Sequence, residues 1–112
     1  MAGFNKGGMG GAGMQNLMKQ AQKMQEEMQE TEKMLDEWEI VGTSGGEAVV
    51  VYMNAKKIID GIEIDKSIID PEDEEMLEDL IMAAILDGYK KADEVYKEKM
   101  GKFNAGGMGG LF

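Results

Sequence analysis

The sequence predicts an α+β domain that runs helix, three antiparallel strands, helix (α-β-β-β-α). Three observations carry that prediction. Residues 14–38, MQNLMKQAQKMQEEMQETEKMLDEW, place Met14, Leu17, Ala21, Met24, Met28, Thr31, Leu35 and Trp38 at alternating steps of three and four. Residues 37–65 hold three short β-rich runs parted by turn residues. Residues 70–100 open on Asp-Pro and continue as a helical apolar pattern from Leu77 to Tyr96.

Steps of three and four draw one narrow apolar seam along a helix, the pattern of helix-on-helix packing. Helix one is therefore expected over residues 14–36. The charges of its first half are all lysine, and its acids come later. Strand one is expected at 37–43, where Trp38 and Ile40 oppose Glu39 and Val41, with Ser44-Gly45-Gly46 as the following turn. Strand two, EAVVVYMN at 47–54, is apolar on both faces, which predicts a central strand covered on both sides. Strand three, at 58–65, alternates Ile62 and Ile64 with Glu63 and Asp65, and Gly61 marks a bulge.

Helix two is expected to open with Asp70 as its N-cap and Pro71 as its first residue, the acids at 72–75 complementing the positive end of the helix dipole. Its apolar positions are Leu77, Leu80, Ile81, Ala84, Ile85, Gly88, Tyr89, Ala92, Val95 and Tyr96. A helix of about 30 residues spans roughly 45 Å, longer than a small sheet requires. Parts of both helices are expected to project beyond the body.

The ends read differently. FNKGGMGG at 4–11 recurs as FNAGGMGG at 103–110. Glycine at this density loses too much backbone entropy to fold alone. Residues 1–13 and 103–112 are expected to be flexible tails around one domain at 14–102, although Phe and Met anchors also suit a docking peptide. A chain of 112 residues buries a modest core, which a second subunit would complete. The chain has no cysteine, no signal-like N-terminus and no run near the ~18 apolar residues of a membrane span, so a soluble intracellular protein is expected.

Charge is the strongest functional clue. Twelve lysines, no arginine, no histidine and 22 acids give a net charge of -10. A polyanion meets the local field, however, and the local field is uneven. Residues 1–25 hold Lys6, Lys19 and Lys23 without an acid; eight acids lie between Asp70 and Asp87; residues 88–102 turn basic again with Lys90, Lys91, Lys97, Lys99 and Lys102. Antiparallel packing of the two helices would bring both basic stretches to one tip. That tip would also carry the neutral donors Gln15, Asn16, Gln20 and Gln22, able to reach phosphate oxygens or base edges.

NLMKQAQKMQEEMQ, then a Gly-Gly turn with EAVVVYMN, GIEIDKSIID and DEEMLEDLIMAAILDGYKKADEVYKEKM, in this order and spacing, resemble the YbaB/EbfC nucleoid-associated protein family across residues 14–100. The resemblance implies an intertwined α/β homodimer whose paired helices project like tweezers and hold double-stranded DNA with little sequence specificity. It implies a bacterial cytoplasmic protein of the nucleoid that organises the chromosome, with contacts on Lys19, Lys23, Lys90, Lys91 and Lys97 and with Lys6, Lys99 and Lys102 close by. Val50 and Ala55 stand where relatives often carry Lys and Gly. Without arginine, bidentate reading of guanine is lost, so weak and salt-sensitive binding is expected.

Other chemistries are poorly served. General acid–base or nucleophilic catalysis finds no His or Cys, and Ser44 and Ser67 have no base in view. No cofactor, metal, small-molecule substrate or membrane is expected: DPEDEE lacks the glycine and ligand spacing of a calcium loop. The twelve methionines read as packing residues suited to irregular gaps. The alternative function is a dimeric scaffold or chaperone-like clamp that holds protein partners between Met-rich arms.

Overall fold

A computed structural model describes residues 13–106, with side chains through Phe103. The order is α1 (Met14–Glu37), β1 (Ile40–Ser44), β2 (Val49–Met53), β3 (Ile59–Ile64), a short 3-10 helix (Lys66–Ile68) and α2 (Glu74–Gly106). The strands form one antiparallel sheet in the order β1-β2-β3. The α-β-β-β-α prediction holds.

Met, Gln, Lys, Glu and Leu are strong helix formers, and α1 contains neither Gly nor Pro over 24 residues. It stops where Trp38 turns extended and donates its N–H to Leu35 O. The turn into β2 has positive φ at Gly45 (60°), Gly46 (64°) and also Glu47 (71°). The first two are the glycines that the sequence offers as a turn. Register pairs Gly42 with Val51 and Tyr52 with Gly61, then shifts so that Met53 meets Ile59. Asp60 is thus the extra residue, and the expected bulge lies immediately beside Gly61.

α2 lies on the face of β1 and β2 that carries Ile40, Val49, Val51 and Met53, all buried. A side chain at Gly42 would overlap Ala84 O and the Gly88 backbone, so this glycine is what lets helix and strand approach so closely. β2 is central as expected, but only one of its faces is covered. Among the described residues no helix packs on the face carrying Val50 and Tyr52, because α1 runs off the sheet instead of folding across it.

Two boundaries of α2 differ from expectation. Asp70 closes a local turn, its Oδ1 accepting the Glu72 N–H and its carbonyl accepting the Asp73 N–H. Asp73 is the residue that caps the helix, accepting from Met76 N–H at 3.3 Å. Asp and Pro suit a tight turn as well as a helix start, and here the turn wins. At the other end α2 continues to Gly106 instead of stopping near residue 100, and Phe103 is 8% exposed within the core cluster. The expected tails otherwise lie outside the described residues.

The helices meet near the end of α2. Lys102 Nζ lies 3.9 Å from Glu27 Oε2, and Glu32 shares a depression with Asp93 and Tyr96. Rising numbers on one helix against falling numbers on the other make the crossing antiparallel. The chain measures 86 × 26 × 16 Å and has a radius of gyration of 23.1 Å. A compact chain of this length would have roughly 13 Å, so the structure is an elongated arm on a small body.

Candidate nucleic-acid interface

The arm is the first half of α1. Every residue from Met14 to Glu26 is exposed. At 100° per residue Gln15, Lys19, Gln22 and Lys23 fall on one face, opposite Met14, Leu17, Ala21, Met24 and Met28. Glu26 and Glu30 continue the polar face toward the body, so its sign changes along the helix from basic to acidic. Among the described residues neither Lys19 nor Lys23 has an ion-pair partner.

The lysines of α2 are placed quite differently. Lys91 Nζ donates to Val41 O at 3.0 Å and pairs with Asp87 Oδ2 at 3.0 Å, so its charge is paired on the surface of the body. Lys90 and Lys97 are exposed on the outward side of α2, seven residues apart. Lys99 is half-buried with its ammonium 5.3 Å from the Trp38 ring centre, and Lys102 reaches Glu27 and the Phe103 ring. Lys6 lies outside the described residues.

The single tip expected from antiparallel packing is therefore only partly assembled. Glu27 stands level with Lys102, so Lys23 sits about one helical turn beyond Lys102 and Lys19 two turns beyond, at 1.5 Å per residue. Lys90 and Lys91 lie back beside β1, roughly 30 Å from Lys19 along the helix axes. The antiparallel arrangement supposed for the two helices holds where they cross, but the seam pattern carries no information on the axial offset between them.

Two lysines that the charge pattern did not single out sit at the β2–β3 turn. Lys56 pairs with Asp36 at 3.1 Å and Lys57 with Asp93 at 2.7 Å. Asn54 builds this turn: its Oδ1 accepts from the N–H of Lys56 and Ile58, and its Nδ2 donates to Asp36 O. The Asp36 partner raises the Lys56 pKa above its ordinary value. Both ammonium groups tie the turn to the helices. Among the described residues no three His, Cys, Asp or Glu side chains gather as a metal site, and no helix is long and apolar enough to cross a membrane.

An acidic α+β body that extends a basic helical face defines a binding module of the kind that meets a polyanion. The chain belongs to the YbaB/EbfC DNA-binding family, which it matches over residues 9–108. It is 47% identical over 107 residues to a nucleoid-associated protein of Alkaliphilus metalliredigens, covering 94% of each chain. It is 49% identical over 104 residues to one of Clostridium novyi, covering 92% of this chain and 91% of that protein. The fold is similar to the crystal structure of an uncharacterized protein from Helicobacter pylori, with a TM-score of 0.65, 30% identity, and coverage of 81% of this chain and 94% of that one. The family is one of bacterial nucleoid-associated DNA-binding proteins and not of enzymes.

Proposed function

We propose that this protein binds double-stranded DNA with little sequence preference through Lys19 and Lys23, acting as a homodimer in the cytoplasmic nucleoid and organising the chromosome there. The observation that carries the reading is the exposed face of Gln15, Lys19, Gln22 and Lys23, with no acid on the arm ahead of Glu26. Lysine acts on phosphate as a point charge and releases counterions, which gives affinity without base reading. Lys97, Lys99 and Lys102 add to the field near the arm root, while Lys90 lies further back. Gln15 and Gln22 can donate to phosphate or base edges.

Anisotropy of a labelled duplex, titrated at several salt concentrations, tests the reading. Wild type should bind with log K falling linearly against log salt. A Lys19→Glu/Lys23→Glu variant should lose at least tenfold in affinity and flatten the slope by about 0.9 for each phosphate contact removed. Unchanged binding by that variant would overturn the assignment of these lysines.

One observation favours a second reading, a clamp for protein partners. The other face of the arm exposes Leu17 (63%), Met18 (61%) and Met24 (49%), and Met18, Ala21, Met24 and Met28 line a shallow apolar groove. Polarizable Met surfaces adapt to varied apolar partners. Replacing Leu17 and Met18 with Gln separates the two: DNA affinity stays if the lysine face is the interface, and protein capture falls if the Met face is.

A further inference from the structure

The second copy of the FNxGGMGG repeat begins inside the fold. Phe103 is 8% exposed and sits in the core cluster with Met100, and Met28 of α1 packs against that cluster. Met28 is also the inner end of the shallow groove on the arm, which runs outward past Met24 and Ala21 to Met18. Core and groove therefore form one continuous apolar surface, covered at its inner end and exposed at its outer end.

α2 ends beside that surface and points along it. Lys102 stands level with Glu27, and the helix continues to Gly106. In an antiparallel crossing each further residue moves α2 toward lower numbers on α1. At 1.5 Å per residue its end lies about 6 Å further out, near the level of Lys23 and Met24. The sequence goes on as Gly-Met-Gly-Gly-Leu-Phe at 107–112, outside the described residues. Fully extended, a stretch of that length reaches roughly 20 Å. The groove from Met24 to Met18 measures only about 9 Å along the helix.

We infer that residues 107–112 occupy this groove within their own chain, with Met108, Leu111 and Phe112 set against Met24, Ala21 and Met18, so that the arm carries its own removable cover. The composition suits the surface. Residues 103–112 have no charged side chain, so no charge loses its hydration against the methionines. The glycines between the anchors have no side chain to hold the backbone away from the helix. Phe103 already serves as the first apolar anchor of the same repeat. The copy at 4–11 is less well placed, because residues 1–12 join α1 at its outer end and would have to reverse direction to reach Met24.

The cover is a weak one. Ordering a glycine-rich stretch costs entropy of the same order as the burial of three apolar side chains returns, so it opens readily. It is independent of the DNA reading, because Lys19 and Lys23 lie on the opposite face of α1. It bears on the clamp reading instead: an apolar partner of the arm must first displace residues 107–112.

The chain has no cysteine, so introduced thiols are the only ones present. In the full chain, Ala21→Cys/Leu111→Cys should oxidise to a disulfide several-fold faster than Lys23→Cys/Leu111→Cys. The two arm positions are about 3 Å apart along the axis but on opposite faces. Gln25→Cys, also in the groove, replaces Ala21→Cys if the latter disturbs α1. Isotope-heavy and light chains of the groove variant, mixed in urea and refolded before oxidation, separate the sources of the linked peptide. Linked peptides of one isotope composition only are expected.

Equal oxidation rates for the groove and lysine-face variants would overturn the contact, because the thiol at position 111 would then meet both faces alike. Mixed heavy–light peptides would assign the segment in the groove to another copy of the chain. Rapid linking of Ala21→Cys alone would assign the groove to a second arm. Either of these also overturns a cover supplied by the same chain.

Discussion

α1 and α2 are both long helices with an apolar stripe, yet one buries its stripe and the other mostly does not. Ala84 and Ala92 of α2 are buried and Gly88 touches Met53, whereas α1 buries Leu35 alone. The lysines divide in the same way. Lys56, Lys57 and Lys91, on the body, each hold a carboxylate at 3.1 Å or less. Lys19 and Lys23, on the arm, hold none among the described residues. The same residue type thus fastens the fold in one region and stays available to a polyanion in the other. Local sequence does not distinguish the two; position relative to the sheet does.

The sharpest way to break this contrast is to overfill the body. Gly42→Val places atoms on the backbone of Ala84 and Gly88, which no side-chain rotation relieves. A loss at or above the ~3 kcal/mol upper range of overpacking is expected, read from urea unfolding. Met18→Gln on the arm should stay within about 0.5 kcal/mol for the isolated chain. A large loss there would mean that the arm's apolar stripe is buried in the assembly.

Asn54→Ala comes next. It removes an acceptor from the Lys56 and Ile58 amides and a donor from Asp36 O, so a loss on the order of 1–3 kcal/mol is expected. Asn54→Asp keeps the acceptors and should recover part of it.

Acid should loosen the body by a smaller amount. The Thr43 N–H, and then the Lys91 ammonium, hold the Asp87 carboxyl below the ordinary carboxylate range, and the Ser67 amide does the same for Asp65. A depressed folded pKa gives stability that is fully present above the unfolded value, near 3.9, and lost as pH falls through the folded value. Stability should therefore drop below about pH 4, and Asp87→Asn should show a shallower acid limb in denaturant midpoints. The smallest effect belongs to Lys102→Ala. Its exposed pair with Glu27 is worth about 0.5 kcal/mol or less.

Much of the fold was legible because its signals are local. The seam of α1, the Gly45-Gly46 turn and the alternation at Ile62 and Ile64 each lie within one element and need no partner to be read. The start of α2 was misread because Asp70 and Pro71 satisfy two local rules at once, and the later Asp73 decides between them. Its end was misread because Phe103 belongs by composition to a glycine-rich repeat and by packing to the core. Lys91 was the least legible. It meets Val41 across 50 residues, and in the sequence it is one more lysine of a basic run. Lys19 and Lys23 were legible as a basic stretch, but their separation from Lys90 depends on the axial offset between helices, which no periodicity encodes.

The length of the arm has a consequence for how salt acts. Lys19 stands about 10 Å beyond Glu26 at 1.5 Å per residue, and further from the acids of the body. At physiological ionic strength the screening length is about 8 Å, so a phosphate at the arm senses the lysines and scarcely senses the net charge of -10 behind them. At about 10 mM salt the screening length grows to ~30 Å, and the acidic body comes into view of the same phosphate. Affinity for DNA should then stop rising, or fall, as salt is lowered through that range, giving an optimum where a uniformly basic protein would give a straight line. In this molecule the arm sets its lysines apart from the acidic body by distance, and the ionic strength of the surroundings decides which of the two a phosphate placed at the arm would feel.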